Sequence, residues 1–297
     1  MDIQLLRGAE ILSLTDNTVC GVLSWDGVGE APVRRIEERG PQQHGVSDVG
    51  FRLEPREIQL ALWLGADSFV DLEARRRTLV DWLRATTANL TLRFTTEAGE
   101  IFDIDGHSVG ALTLPVEGGD GMTLKSGVVF RCPDPTFYDP VAVAVSFLVG
   151  GGADSFYVPM SVPHFVGASV VNASVTVTYA GTWRAYPLIR IVGPIADPVI
   201  TNAATGEVLD FTGTTIAGGD RYDIDLRYGH KTVIDAAGVS QIAKLVTSSD
   251  LATWHIADDS EVTGEVTGGV NSISVTGSGA NVATRIDIVY NTRYVGI

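Results

Sequence analysis

Cysteine is almost missing from this sequence: its 297 residues include only Cys20 and Cys132. The two lie far apart, without CxxC or Cys/His spacing, which favours two buried thiols in a reducing compartment over a disulfide framework or a zinc site. Long apolar runs are also missing. No stretch approaches the roughly 18 apolar residues that a membrane span needs, and residues 1–7 have no cationic start. We therefore expect neither a membrane span nor a signal peptide.

Basic residues are scarce. Lys and Arg number 21 against 36 Asp and Glu, which gives a formal charge of −15, divided into −8 up to Pro135 and −7 after it. Affinity for nucleic acid depends on clustered basic side chains that neutralise phosphates. We therefore expect a protein that at most lies beside DNA and does not bind it tightly.

What is present describes a folded protein rich in turns. The hydrophobic share is 45% and the charged share 19%, both typical of globular proteins. The 33 glycines show no collagen-like period and fit many tight turns. The length allows one large domain or two ordinary ones.

Residues 1–135 combine strands with one helix. Ile58, Leu60, Leu62 and Leu64 alternate along one face of a predicted strand. Further on, residues 101–107 are predicted to lead into a turn and 108–115 to resume an extended chain. Residues 118–121, Gly-Gly-Asp-Gly, predict a hairpin connection before a strand at 123–132.

One helix is predicted over residues 71–84, with Asp71 as its N-cap. Its apolar stripe consists of Leu72, Leu79 and Leu83, flanked by Trp82. A helix of this kind packs its stripe on a sheet and leaves the other faces to solvent or to a partner.

Three consecutive arginines, Arg75, Arg76 and Arg77, cover the other faces of this helix in a chain poor in lysine. One interpretation is a solvated basic face, helped by Glu73 and Asp81. The other is an interface with an acidic neighbouring subunit. The sequence leaves both open.

Three prolines at 133, 135 and 140 interrupt the pattern and predict a domain boundary. Residues 136–297 read almost entirely as short alternating strands, which predicts an antiparallel β-sandwich of ordinary domain size. The clearest of these strands are residues 175–179, 188–192, 221–226, 272–275 and 285–290.

Enzymatic chemistry finds little support. Glycoside hydrolysis needs two carboxylates facing each other across a cleft. Asp103 and Asp105 share one strand face, as do Asp223 and Asp225, but pairs on one face usually end in solvent. We therefore assign no catalytic residue.

Metal and cofactor sites find no more support. The five histidines are scattered, without an HExxH motif, and no GxSxG motif raises a serine nucleophile. We expect no metal and no cofactor.

Several stretches, taken in order, carry a family resemblance. They are Gly45-Val-Ser-Asp-Val-Gly-Phe-Arg-Leu-Glu-Pro-Arg-Glu-Ile-Gln-Leu, the arginine-rich helix, Asp134-Pro-Thr-Phe-Tyr-Asp-Pro, Tyr186-Pro-Leu-Ile-Arg-Ile-Val-Gly-Pro, Ile200-Thr-Asn-Ala-Ala-Thr-Gly-Glu, and Tyr222-Asp-Ile-Asp-Leu with Lys231-Thr-Val. Their order and spacing resemble the distal tail proteins of long-tailed bacteriophages, over nearly the whole chain.

The resemblance implies a mostly β protein. Residues 1–135 would form a tail-tube-like belt domain, a β-sandwich or split barrel with one helix, and residues 136–297 a galectin-like β-sandwich. It further implies a structural virion protein at the tail tip, assembled in the host cytoplasm as a ring that usually has six subunits. The ring would join the tail tube to the hub and to fibres or a receptor-binding protein, and DNA would pass through its lumen.

Two other functions remain open. A carbohydrate-binding module would contact a host surface directly, and Trp183 and Trp254 are its candidate glycan contacts. The other alternative is an enzyme that uses one of the paired carboxylates. Six-fold rings in images of the purified chain would distinguish the tail protein from a lectin that binds glycan arrays as a monomer.

Overall fold

The computed structural model describes residues 1–84, 86, 89–110, 112, 114, 122–149, 170–260 and 269–297. The chain is mostly β, as predicted, and the described part contains one α-helix. It divides into two compact units, Met1–Pro140 with Tyr294–Ile297, and Val141–Arg293. The assignment of a belt domain to residues 1–135 and a galectin-like domain to residues 136–297 stays a prediction.

The first unit contains ten strands and the helix. In chain order these are β1 (Asp2–Arg7), β2 (Glu10–Ser13), β3 (Gly21–Asp26), β4 (Val33–Glu38), β5 (Ser47–Leu53), β6 (Arg56–Gly65), α1 (Phe69–Trp82), β7 (Leu90–Thr95), β8 (Ile101–Val109), β9 (Thr123–Cys132) and β10 (Phe137–Tyr138).

Most of these strands form one antiparallel sheet in the order β2-β1-β7-β8-β9-β6-β3, while β4 and β5 pair only with each other. The predicted face of β6 is confirmed, because Ile58, Leu60, Leu62 and Leu64 are all buried. They join one apolar core with residues of β1, β7, β9 and α1. Burial of alternate residues is what a strand with one face on the core requires.

Helix α1 begins earlier than the sequence suggested, so the prediction of Asp71 as its N-cap was wrong. Ser68 has extended φ and ψ, and its side chain accepts a hydrogen bond from the backbone N–H of Asp71. Asp71 instead lies in the first turn, where its charge complements the helix dipole. The predicted stripe of Leu72, Leu79 and Leu83 is confirmed as buried.

The turn predicted at residues 106 and 107 was also wrong, because β8 continues through it to Val109. Gly106 serves close packing. A Cβ there would lie 2.9 Å from both the Arg131 carbonyl oxygen and the Cys132 sulfur on the neighbouring strand. The hairpin predicted at residues 118–121 lies outside the described residues.

The second unit contains the remaining strands and a short 3₁₀ helix at Ile242–Lys244. The strands are β11 (Val143–Leu148), β12 (Val170–Thr178), β13 (Leu188–Val192), β14 (Ile195–Asn202), β15 (Val208–Asp210), β16 (Thr215–Ile216), β17 (Arg221–Asp225), β18 (Thr232–Asp235), β19 (Val270–Ser278) and β20 (Arg285–Tyr290), and β21 (Arg293–Tyr294) follows them.

Two antiparallel sheets make up this unit. One has the order β11-β20-β13-β17-β18, and the other has the order β12-β19-β14-β15 with β16 beside β14. Inward side chains of both sheets share one buried core, which is the arrangement of a β-sandwich. The strands predicted at residues 188–192 and 285–290 have those bounds.

Both cysteines are buried and free, as expected. Burial raises the pKa of Cys20 and of Cys132 to about 12, so both stay protonated and unreactive in the folded protein. None of the helices in the described ranges has the length and apolarity that crossing a bilayer requires.

Candidate interaction surfaces

The two carboxylates of β8 that were considered for catalysis are engaged in hydrogen bonds with neighbouring side chains. Asp103 is buried and accepts two hydrogen bonds of 2.8 Å from the Arg93 guanidinium. Asp105 accepts hydrogen bonds from the hydroxyls of Thr91, at 2.6 Å, and Tyr138, at 3.0 Å. The bidentate arginine occupies both carboxylate oxygens of Asp103, so this side chain serves the packing of the sheet.

The second acidic pair lies on the outer face of the β17 strand, and it too is matched by arginines. Asp223 pairs with Arg190 and Arg221, and Asp225 accepts a hydrogen bond of 2.7 Å from Arg227. Burial alone would raise the pKa of Asp225, but the hydrogen bonds from Arg227 outweigh it and leave the pKa below its usual value. Asp225 therefore lacks the raised pKa of a proton donor.

This outer sheet face carries a depression of about 310 Å³. Its floor is partly apolar, with Leu188, Ile234 and Val289, and its rim carries the ion pairs just described. Asp287 completes the set, since it pairs with Arg285 at 2.9 Å and accepts from the Ser146 hydroxyl at 2.6 Å. A face of paired charges around a small apolar floor is a contact surface more than a reaction centre.

The two candidate glycan contacts differ in accessibility. Trp254 has no exposed surface, so its ring cannot stack on a sugar in this conformation and that part of the prediction is corrected. The ring lies among the buried side chains of the sandwich core. Trp183 is half-buried, with the Arg184 guanidinium carbon 5.2 Å from its ring centroid. A glycan contact at Trp183 stays a prediction.

A cluster that the sequence did not suggest surrounds Lys231. The Lys231 ammonium lies 4.3 Å from the centroid of the Tyr186 ring, and the Tyr186 hydroxyl is 3.0 Å from that of Tyr228. Burial lowers the pKa of Lys231 to about 8, although the charges of Glu207 and Asp225 oppose the shift. The ammonium is buried without a hydrogen-bond partner among the described residues, so the cluster offers no open site.

Helix α1 does not present its three arginines as one face. The Arg75 guanidinium donates to the carbonyl oxygens of Asn17, at 3.0 Å, and Gly65, at 2.8 Å, so it is bound within its own unit. Arg76 and Arg77 are exposed and lie 3.6 and 3.7 Å from the Glu73 carboxylate. An interface at Arg75, Arg76 and Arg77 stays a prediction. Of the three, only Arg76 and Arg77 are exposed enough to contact a partner.

The most exposed element of the first unit is the β4–β5 hairpin, residues 33–53, which we call the arm. Every residue of β4 is exposed, and most of β5 is too. No other strand of the described chain pairs with either of them. Sequence reasoning missed this surface, because the strand pairing that defines it depends on a register shift between Ile36 and Glu37.

Metal ligands do not converge anywhere in the described part of the chain. No group of three or more His, Cys, Asp or Glu side chains there is placed to hold an ion.

Comparison with known proteins identifies solved structures with a similar fold. No protein-family model matches the sequence, and no curated protein does either. Among solved structures, the chain is similar to SPP1 Dit (gp 19.1), described as a paradigm of the hub adsorption apparatus in phages that infect Gram-positive bacteria. The TM-score is 0.63 at 16% identity, and the alignment covers 98% of each chain.

Two structures of the phage P2 baseplate in its activated conformation, with calcium and with strontium, are also similar. Their TM-scores are 0.46 and 0.45, at 10% identity, with 97% of each chain covered. The similarity to SPP1 Dit, at low identity over both units, establishes a shared fold.

Proposed function

We propose that this chain is a structural protein of a phage tail tip that assembles into a ring of six subunits. The ring joins the tail tube to the tip hub and to fibres or a receptor-binding protein, and DNA passes through its lumen. The observation that supports this most is the agreement of the fold with SPP1 Dit over 98% of both chains. The alignment therefore includes both units, whereas a protein that acted only as a lectin would need a single sugar-binding domain.

Electrostatics support the same role. A formal charge of −15, spread over both parts of the chain, repels a DNA molecule that slides past and so suits a conduit. The protein would act in the virion, after assembly in the host cytoplasm, and its partners would be further copies of itself and neighbouring tail proteins. The carboxylates considered for catalysis are instead engaged in ion pairs and hydrogen bonds.

Images of the purified chain test the proposal directly. We expect negative-stain electron microscopy, with the chain alone or mixed with tail tube protein, to show six-fold rings, and sedimentation to give a matching mass. A monodisperse monomer that binds glycan arrays would overturn the proposal in favour of a lectin. In that case Trp183→Ala should abolish glycan binding.

The arginines of α1 offer a second test. Because Arg76 and Arg77 are exposed and share only Glu73, the double variant Arg76→Glu/Arg77→Glu should weaken the ring if an acidic neighbour lies there. We expect the ring fraction in sedimentation velocity to fall severalfold, and the effect to shrink in high salt. Arg75→Glu is no suitable probe, because its loss would disturb the fold itself. An unchanged sedimentation profile for the double variant would remove α1 from the interface.

A further inference from the structure

We propose that the arm binds a neighbouring copy of this chain, with Arg34 and Arg52 placed against that copy's acidic surface. The inference rests on the proposed ring and names the surface that would build it. In the sequence, the arm lies between β3, which is at one edge of the large sheet, and β6, the strand that pairs with β3.

The arm lacks the support that a β-ribbon needs. Two strands alone are marginally stable in water, and a third strand or a packed face is usually required. Here neither face is covered: Val33, Ile36, Val49 and Phe51 are between 38% and 60% exposed. Apolar side chains at that exposure on a free ribbon indicate a surface that is covered in an assembly.

One face of the arm carries an unfavourable pair of charges. Arg34 lies directly opposite Arg52 in the strand register, so both side chains project from the same face. Like charges directly opposite each other destabilise a strand pair. Arg34 has only a distant partner, Glu54 at 4.0 Å, and Arg52 has no ion pair within the described ranges. A carboxylate from outside the arm would relieve this repulsion.

A second copy is the partner that the charges favour. The arm contains four arginines and three carboxylates, so its formal charge is +1 and the rest of the chain carries −16. A ribbon with this charge and an arginine pair approaches such a surface without the general repulsion between two acidic bodies. DNA is the competing acidic partner, but three carboxylates accompany the arginines, and they would repel phosphates.

The root of the arm, residues 27–29, is held against β6 by close packing and hydrogen bonds, so the ribbon is presented in a defined direction. Gly27 has a φ of +89° and lies so close to β6 that a Cβ would be 2.2 Å from the Glu57 carbonyl oxygen. The buried Arg56 side chain donates to the carbonyl oxygens of Gly27, at 2.8 Å, and Gly29, at 2.6 Å. An element held in this way loses little conformational entropy when it binds.

The other face supplies apolar contact. Val33 and Phe51 project there, and the Arg35 guanidinium carbon lies 5.7 Å from the Phe51 ring while it pairs with Asp48 at 2.9 Å. Six or seven residues per strand give a ribbon about 20 Å long, at roughly 3.3 Å per residue. That length is enough to cross onto an adjacent subunit.

Site-directed photocrosslinking tests which molecule the arm touches. Val49→Cys would carry a maleimide-linked benzophenone, and the buried Cys20 and Cys132 would leave it the only reactive thiol. We expect crosslinked dimers and higher multiples in the full-length protein, with the linked peptide mapped to a second copy. Val282→Cys, 76% exposed in the second unit, is the matched control and should give few crosslinks. Equal yields from both variants would overturn the inference.

Charge reversal tests the arginine face. Arg52→Glu and Lys244→Glu each change the net charge by two and both replace exposed residues. We expect Arg52→Glu to weaken ring association about tenfold or more, while Lys244→Glu leaves it within about twofold, because only the first would oppose acidic residues in an interface. Unchanged thermal unfolding of both variants would show that folding is preserved.

The outcomes separate this inference from the proposed function. Rings that form normally with Arg52→Glu would overturn the role of the arm and leave the ring standing. Absence of rings in the unaltered protein, alone and with tube protein, would overturn both. Loss of DNA retention by Arg52→Glu, with rings intact, would assign the arm to nucleic acid instead.

Discussion

Replacing Arg56 by methionine should destabilise the first unit by about 3–5 kcal/mol, because several backbone carbonyl groups lose the side chain that donates hydrogen bonds to them. Arg56 is almost fully buried, at 1% exposure, and no carboxylate of the described ranges pairs with it. Its guanidinium instead donates to four backbone carbonyl oxygens, those of Gly27, Gly29, Pro135 and Val295. Burial lowers the pKa of Arg56, so the charge itself costs energy, and the carbonyl dipoles together with the Phe137 ring, 4.7 Å away, offset that cost.

The effect is large because methionine fills the volume but leaves those carbonyl groups without a donor. Each buried unsatisfied carbonyl costs about 1–3 kcal/mol. The stability of Arg56→Lys should lie between that of the unaltered protein and that of Arg56→Met. One ammonium cannot reach all the carbonyls that a planar guanidinium reaches on three sides. The arm root, the segment at Pro135 and the segment at Val295 would all loosen.

Hydrogen exchange followed by mass spectrometry is the best measurement, since a chain of two units need not unfold in one transition. Peptides that contain residues 27–30 and 56–65 should exchange faster in Arg56→Met, while peptides of the second unit are unchanged. Arg131→Ala is the matched control, because Arg131 is exposed on the strand next to Arg56 and should cost less than about 0.5 kcal/mol. Unaltered exchange in Arg56→Met would mean that desolvation cancels the hydrogen bonds.

Replacing Asn271 by leucine should destabilise the second unit by about 2–4 kcal/mol. The Asn271 side chain is fully buried and accepts from the Ala257 backbone N–H at 2.8 Å and from the Asn202 amide at 2.9 Å. It also donates to the carbonyl oxygens of Ala257 and Gly269, both at 2.9 Å. Leucine has a similar volume and satisfies none of these groups, so the loss is polar and leaves no cavity.

Denaturant unfolding, with hydrogen exchange to assign the unit, would measure the effect. Asn172→Ala on β12 is the control, because Asn172 is exposed and its loss should be nearly neutral. A double-mutant cycle sharpens the test. Asn202→Ala/Asn271→Ala should cost less than the sum of the single variants, since the two amides share one hydrogen bond. Strict additivity would show that the network does not act as a unit.

Local patterns were sufficient for much of the strand content. The bounds of β13 and β20 follow from apolar alternation between turn residues, and the burial of alternate residues in β6 follows from the same period of two. The stripe of α1 is equally local, although Ser68 and not Asp71 caps it. Ser68 and Asp71 lie three residues apart, and both kinds of side chain favour helix N-termini.

Nonlocal contacts decided what the patterns could not. Gly106 looked like a turn residue, yet β9 packs so closely against it that only glycine fits within the strand. Trp254 looked available to a ligand, yet it lies in the sandwich core. Residues 285–297 divide between the two units, since β20 belongs to the sandwich while Tyr294–Ile297 belongs to the first unit, where the Ile297 N–H donates to Val28.

The amino-acid sequence alone determined that this protein is acidic, mostly β and built from short strands with one helix, because charge, turn residues and side-chain period are properties of neighbouring residues. Only the tertiary structure decided that the arm stands free with Arg34 opposite Arg52, and that Arg56 holds its root. Those facts depend on which distant segments pair and in what register, and a register one residue away would turn every side chain to the other face.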